Sequence, residues 1–133
     1  MQKIEHLGIA VHNLQESEEI YSRLFGTGPY KRESVESESV TTSFFRVGAN
    51  KIELLESTAE DGPIAKFLAK RGEGIHHVAF AVDDIHSEMQ RLRDEGFRLL
   101  NEEPKRGADN KLIAFVHPKD SSGVLIELCQ EIK

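Results

Sequence analysis

The sequence predicts an α+β fold of two tandem βαβββ modules, and three observations carry that reading. The first is an internal repeat. Residues 4–14 (IEHLGIAVHNL) lie without a gap over residues 75–85 (IHHVAFAVDDI), 71 positions further on, and internal self-similarity outranks any local signal. The second is a helix signal after each copy. Asn13 and Asp84 stand where a helix N-cap belongs, each opening a run of apolar residues at helical spacing that a glycine, Gly26 or Gly96, closes. The third is that each half then turns β-prone.

The elements come in order. Residues 4–11 alternate as a strand, and Leu14, Ile20, Tyr21 and Leu24 mark the first helix. Residues 40–47 (VTTSFFRV) read as a strand ending at Gly48, and residues 50–55 (NKIELL) as a short one after it. Residues 63–71 predict a short joining helix, with Pro63 in its first turn. The second module repeats the scheme: a strand over 75–82, a helix with Ile85, Met89 and Leu92, then strands over 112–116 and 124–128. The third strand of each module is the least sharply marked. The expected organisation is one domain over residues 1–133, its modules spanning about 1–58 and 74–133.

Composition bounds the function. A chain of 133 residues is one domain's worth, large enough to bury a core without disulfides or a structural metal. Its net charge of −6, with both signs interspersed, argues against a nucleic-acid partner. No apolar run approaches a membrane span and the first residues do not form a signal peptide. The single cysteine, Cys129, suits a reducing cytoplasm. A cytoplasmic protein without membrane or nucleic-acid partners is the expectation.

Strand alternation locates a candidate site. On the first strand Leu7, Ile9 and Val11 share one face, and His6, Gly8 and Ala10 the other. In the repeat, Val78, Phe80 and Val82 oppose His77, Ala79 and Ala81. Each copy thus presents one imidazole followed by two small residues, which leaves room beside it. Glu53 and Glu127 each interrupt an apolar strand, at a matching distance beyond their module's histidine. A carboxylate there is costly to bury without a cation or hydrogen bonds. One His and one Glu from each module form a set suited to a divalent first-row metal with positions left open for substrate or water. A lone His or Glu in a strand is more often structural; repetition in register shifts the balance. His76 reads as structural, His12, His86 and His117 as solvated, and Cys129 as a small buried hydrophobe.

Four stretches carry a family resemblance over nearly the whole chain: residues 6–11 (HLGIAV), 61–68 (DGPIAKFL), 72–80 (GEGIHHVAF), and 103–107 (EPKRG) running on to 117–128 (HPKDSSGVLIEL). With them the chain resembles the vicinal oxygen chelate superfamily and, within it, the methylmalonyl-CoA epimerase family. The resemblance implies a racemase/epimerase that interconverts the C2 epimers of methylmalonyl-CoA through an enolate. It also implies a homodimer with one divalent ion per chain, cobalt first and zinc, nickel or manganese as alternatives. The ligands would be His6, Glu53, His77 and Glu127. Inversion needs proton delivery opposite to removal, hence two acid–base groups, and Glu127 is the candidate for one. Some members carry a glutamate where this chain has Thr42, which cannot serve as a carboxylate base; Glu33, Glu36 and Glu38 read as a solvated loop.

The acyl-CoA substrate is polyanionic, and between residues 105 and 119 four cations, Lys105, Arg106, Lys111 and Lys119, face one anion, Asp109. They are the expected substrate-binding residues. Two other readings stay open. A glyoxalase I (lactoylglutathione lyase)-type isomerase would use a similar His/Glu set, with both glutamates as its acid–base pair, although the loop at 117–123 lacks the Asp-Pro-Asp-Gly-type turn those enzymes tend to carry. A metal-free small-molecule binding protein of the same fold would not need the full ligand set.

Overall fold

A computed structural model describes residues 1–133. The elements run β1 (Lys3–Ala10), α1 (Leu14–Phe25), β2 (Lys31–Val35), β3 (Val40–Val47), β4 (Asn50–Ser57), α2 (Pro63–Arg71), β5 (Gly74–Ala81), α3 (Ile85–Asp94), β6 (Lys105–Arg106), β7 (Lys111–Val116) and β8 (Ile126–Glu131). The βαβββ order therefore occurs twice, with α2 between, and the α+β class is as predicted. No helix is long and apolar enough to cross a membrane. The chain divides into two compact units, His6–His76 and His77–Lys133, the latter including Met1–Glu5.

In the first unit the strand order is β2-β3-β4-β1. The β2–β3 and β3–β4 pairs are antiparallel, and β4–β1 is parallel. Helix α1 starts where Asn13 accepts a hydrogen bond from the Glu16 amide and stops at Gly26, whose φ of 74° is one a residue with a Cβ adopts reluctantly. It covers one face of the strands: Val11, Leu14, Phe45 and Leu54 are buried together, with Ile9, Tyr21, Phe25 and Ile52 packed around them. On the opposite face α2 lays Ile64, Phe67 and Leu68 over Ala10, Val40 and Leu55. The helix expected as a joint between modules thus packs within the first unit.

The second unit repeats the order as β5-β8-β7-β6, with β5–β8 parallel and the other two pairs antiparallel. Asp84 caps α3 by accepting from the Ser87 amide. Ile85, Met89 and Leu92 of α3 are buried against Val82, Ala114, Val116 and Leu128. The face away from α3 carries Ala79, Ile113 and Cys129, with Phe115 beside them. Cys129, 1% exposed, is the small buried hydrophobe expected.

Two strands correct the sequence reading. The segment read as a solvated loop around Glu33 is strand β2, and only Glu36 and Glu38 lie in the 3-10 turn after it. Its sequence, KRESV, carries no run of apolar residues because it is an edge strand, where charged side chains also discourage pairing with other chains. It is fastened by Arg32, whose guanidinium binds the Glu18 carboxylate on α1; that carboxylate also accepts the Ser43 hydroxyl at 2.6 Å. Strand β6, two residues long, is the corresponding edge in the second unit.

Candidate functional site

In the first unit, register defines the face opposite α1. The partners Gly8↔Glu53 and Ala10↔Leu55 align β1 with β4, and Phe44↔Glu53 and Thr42↔Leu55 align β4 with β3. Register partners point to the same side, so His6, Glu53, Phe44 and Thr42 share that face. His6 and Glu53 are 4% and 6% exposed, and His6 Nδ1 lies 3.1 Å from Glu53 Oε2. Gly8, between His6 and Ala10 on that face, brings no side chain to it.

The second unit builds the same pair from the same parts. Ala79↔Glu127 aligns β5 with β8, and Phe115↔Glu127 aligns β8 with β7. His77 and Glu127 are each 5% exposed, and His77 Nε2 lies 3.5 Å from Glu127 Oε1. The Phe115 ring stands edge-on to His77, centroids 6.3 Å apart. Each unit thus holds one buried His–Glu pair in which each polar group offsets the desolvation of the other.

The donor chemistry fits a divalent cation. Imidazole nitrogen and carboxylate oxygen suit first-row metals, and a carboxylate this deeply buried calls for a compensating positive charge. Among the other histidines, His76 faces α2, its ring edge-on to Phe67 with centroids 5.0 Å apart. Burial holds its imidazole down at about 4, so it is neutral at physiological pH. His12 is exposed, and His86 is exposed 3.9 Å from Glu103. His117 is half-buried rather than fully solvated, its Nδ1 accepting from the Lys119 amide at the start of a 3-10 turn.

The four cations expected to bind substrate are placed apart. Lys105 pairs with Ile113 and Arg106 with Leu112, so the two point to opposite sides of β7. Lys105 and Lys111 take the side of Ile113 and Phe115, with Lys105 Nζ 6.0 Å from the Phe115 ring centroid. Arg106 donates to Asn110 Oδ1 at 3.3 Å, and Lys119 is exposed in the 3-10 turn after β7. Thr42 is 1% exposed and pairs across β2–β3 with Glu33. Sequence reasoning did not find Lys31, Phe44 and Phe115, which stand beside the pairs, because only register links them to Glu53 and Glu127.

Comparison with known proteins agrees with this fold. Residues 5–115 match the Glyoxalase/Bleomycin resistance protein/Dioxygenase superfamily. The mitochondrial methylmalonyl-CoA epimerase of Dictyostelium discoideum is 41% identical over 127 residues, covering 95% of this chain and 76% of that protein. The ethylmalonyl-CoA/methylmalonyl-CoA epimerase of Cereibacter sphaeroides is 38% identical over 130 residues, covering 96% and 97%. A solved variant of the Streptomyces coelicolor methylmalonyl-CoA epimerase, in complex with 2-nitronate-propionyl-CoA, superposes with a TM-score of 0.96 at 38% identity, covering 100% of this chain and 99% of that one. With its two repeated units and near-complete coverage by these relatives, the chain belongs to the glyoxalase/bleomycin resistance protein/dioxygenase superfamily and, within it, to the methylmalonyl-CoA epimerase family.

Proposed function

We propose that this protein epimerises methylmalonyl-CoA at C2. The observation that carries the proposal is the buried His–Glu pair at equivalent positions of two repeated units, in a chain whose relatives bear that activity in their names. The hydrogen beside a thioester is weakly acidic, so its removal needs stabilisation of the enolate oxygen where negative charge develops. A divalent ion held by His6, Glu53, His77 and Glu127 would supply that as a Lewis acid, with cobalt the first reading and zinc, nickel or manganese the alternatives.

The remaining chemistry falls to the side chains. Glu127 is buried beside His77 and Phe115, and its carboxylate is the group proposed to accept the proton. It takes the C2 proton on one face. Inversion requires return on the other face, and Thr42 has no carboxylate to offer there. Glu53, the counterpart of Glu127 in the first unit, or a water is the candidate for that second proton transfer. Lys105 holds the anionic coenzyme at the side of the second unit's pair, Lys111 and Lys119 add positive charge, and Arg106, on the other side of β7 and bonded to Asn110, stands apart from that contact. A homodimer, which the resemblance implies, is checked by sedimentation velocity, and a cytoplasmic location, which the single cysteine suggests, by cell fractionation.

A glyoxalase I-type isomerase is the second reading, favoured by one observation: each site histidine has a glutamate at the equivalent strand position, Glu53 and Glu127, which could form a symmetrical acid–base set. One experiment separates the two. The protein is incubated in heavy water with methylmalonyl-CoA, and in parallel with the glutathione hemithioacetal of methylglyoxal. Deuterium entering C2 of the first supports the epimerase; turnover of the second alone replaces it with the isomerase, and turnover of neither removes both.

A further inference from the structure

Besides Glu53, strand pairing brings one more carboxylate to the site face of the first unit. Along β2 the residues Lys31, Glu33 and Val35 alternate with Arg32 and Ser34. Register pairs them with Phe44, Thr42 and Val40 of β3, so they share the side that carries His6 and Glu53. Arg32 takes the other side, toward Glu18 of α1. Glu33, Thr42, Leu55 and Ala10 then form one row across the four strands. Helix α2 covers Leu55 and Ala10, and Glu33 stands at the open end. The next row is Lys31, Phe44, Glu53 and Gly8.

Glu33 is tied to that next row. Its Oε1 lies 3.6 Å from Lys31 Nζ, and the same ammonium lies 4.9 Å from the Phe44 ring centroid. A cation over an aromatic face is attracted by the ring quadrupole, which holds Lys31, and with it the Glu33 carboxylate, over β3 rather than out from the sheet edge. Register partners bring their Cβ atoms to about 4.5–5.5 Å. The Glu33 carboxyl, which extends further from its Cβ than the Thr42 hydroxyl does, therefore supplies acid–base capacity at a position where Thr42 has none.

Exposure separates the two carboxylates of this face. Glu53 is 6% exposed and held by His6 at 3.1 Å, whereas the Glu33 side chain is 35% exposed. A group that gives up a proton in each turnover must regain one from water, and Glu33 reaches water. It also lies outside the His–Glu set suited to a cation, so moving a proton there does not compete with holding an ion.

We propose that Glu33 is the second acid–base residue of the reaction, a role that rests on the epimerase reading. Inversion assigns it the C2 face that Glu127 does not serve. In one direction Glu127 takes the C2 proton and the electron pair of the broken C–H bond passes into the enolate. That pair then forms the new C–H bond with the proton of the Glu33 carboxylic acid. In the other direction the roles reverse. Each turnover leaves one glutamate protonated and the other ionised, and exchange with water resets both.

The test follows each epimer of methylmalonyl-CoA separately in heavy water, measuring initial deuterium entry at C2 and inversion. The proteins are the parent, Glu33→Gln, Glu127→Gln and Glu36→Gln, the last an exposed carboxylate in the turn after β2 that controls for charge. Glu33→Gln should lose inversion by about 10²–10⁴-fold. It should also lose exchange from one epimer, while the other still exchanges with its configuration retained. Glu127→Gln should show the reverse preference, and Glu36→Gln should match the parent. The ratio of the two exchange rates does not depend on how much of a variant is folded. Parent-like inversion in Glu33→Gln, an equal loss from both epimers, the same preference as Glu127→Gln, or an equal effect in Glu36→Gln would each overturn the assignment. No deuterium entry from either epimer in the parent would remove the epimerase reading itself, and the assignment with it.

Discussion

Glu53 reaches His6 through Nδ1 at 3.1 Å, whereas Glu127 reaches His77 through Nε2 at 3.5 Å. The two pairs occupy equivalent strand positions, yet they engage different nitrogens of the imidazole. A repeat in sequence therefore conserves which residues meet without conserving which atom of the ring each offers. That distinction matters for ligation, because the hydrogen bond at one ring nitrogen sets what the other can do.

The first prediction concerns the metal. Elemental analysis of the parent protein should find one divalent ion per chain. His6→Ala and His77→Ala should each lose most of it, since removing one imidazole also leaves a buried carboxylate uncompensated. Full occupancy in either variant would remove that histidine from the ligand set.

A second prediction separates ligation from proton transfer at Glu127. Glu127→Gln keeps an oxygen ligand but cannot accept a proton at neutral pH. It should retain metal and lose turnover by about 10²–10⁴-fold. Deuterium exchange at C2, followed for each epimer separately, should survive better from one epimer than from the other. Parent-like epimerisation in the metal-loaded variant would place the base elsewhere.

The third rests on the opposite orientations of Lys105 and Arg106. Lys105→Ala should raise KM several-fold with kcat nearly unchanged, because an ionic contact to the coenzyme is equal in the ground and transition states. Arg106→Ala, with its guanidinium on the other side and bonded to Asn110, should change KM little. Equal effects would mean that the stretch acts as diffuse charge.

A fourth concerns acid stability. Burial holds His76 at about 4, below its ordinary value of 6.5. Between those values the unfolded chain binds a proton that the folded chain refuses, so stability falls as pH drops through this window. The loss should reach roughly 2 kcal/mol near pH 4, allowing for the ring's partial exposure. In His76→Phe, which can keep the contact with Phe67, denaturant midpoints should decline less between pH 6.5 and 4. Parallel profiles would show that other groups control the acid limb.

Much of the fold was legible because its signals are local. Asn13 and Asp84 cap helices through their own side chains, and Gly26 ends α1 through its own φ. Strand β2 was not legible. KRESV has the polarity of a loop, and it is extended because its backbone pairs with β3 and Arg32 binds Glu18 fourteen positions away. Lys105, Arg106, Lys111 and Lys119 read as one basic stretch, but strand alternation turns Lys105 and Arg106 to opposite sides.

By itself the sequence determined that two equivalent modules exist, that each carries a histidine on its first strand and a glutamate on its last, and that small residues follow each histidine. Those facts depend only on residue identity and spacing. The tertiary structure alone decided that Phe44 and Lys31 stand beside Glu53, and Phe115 and Lys105 beside Glu127. Neighbours across a sheet are set by register, and a slip of one residue would send every one of these side chains to the other face.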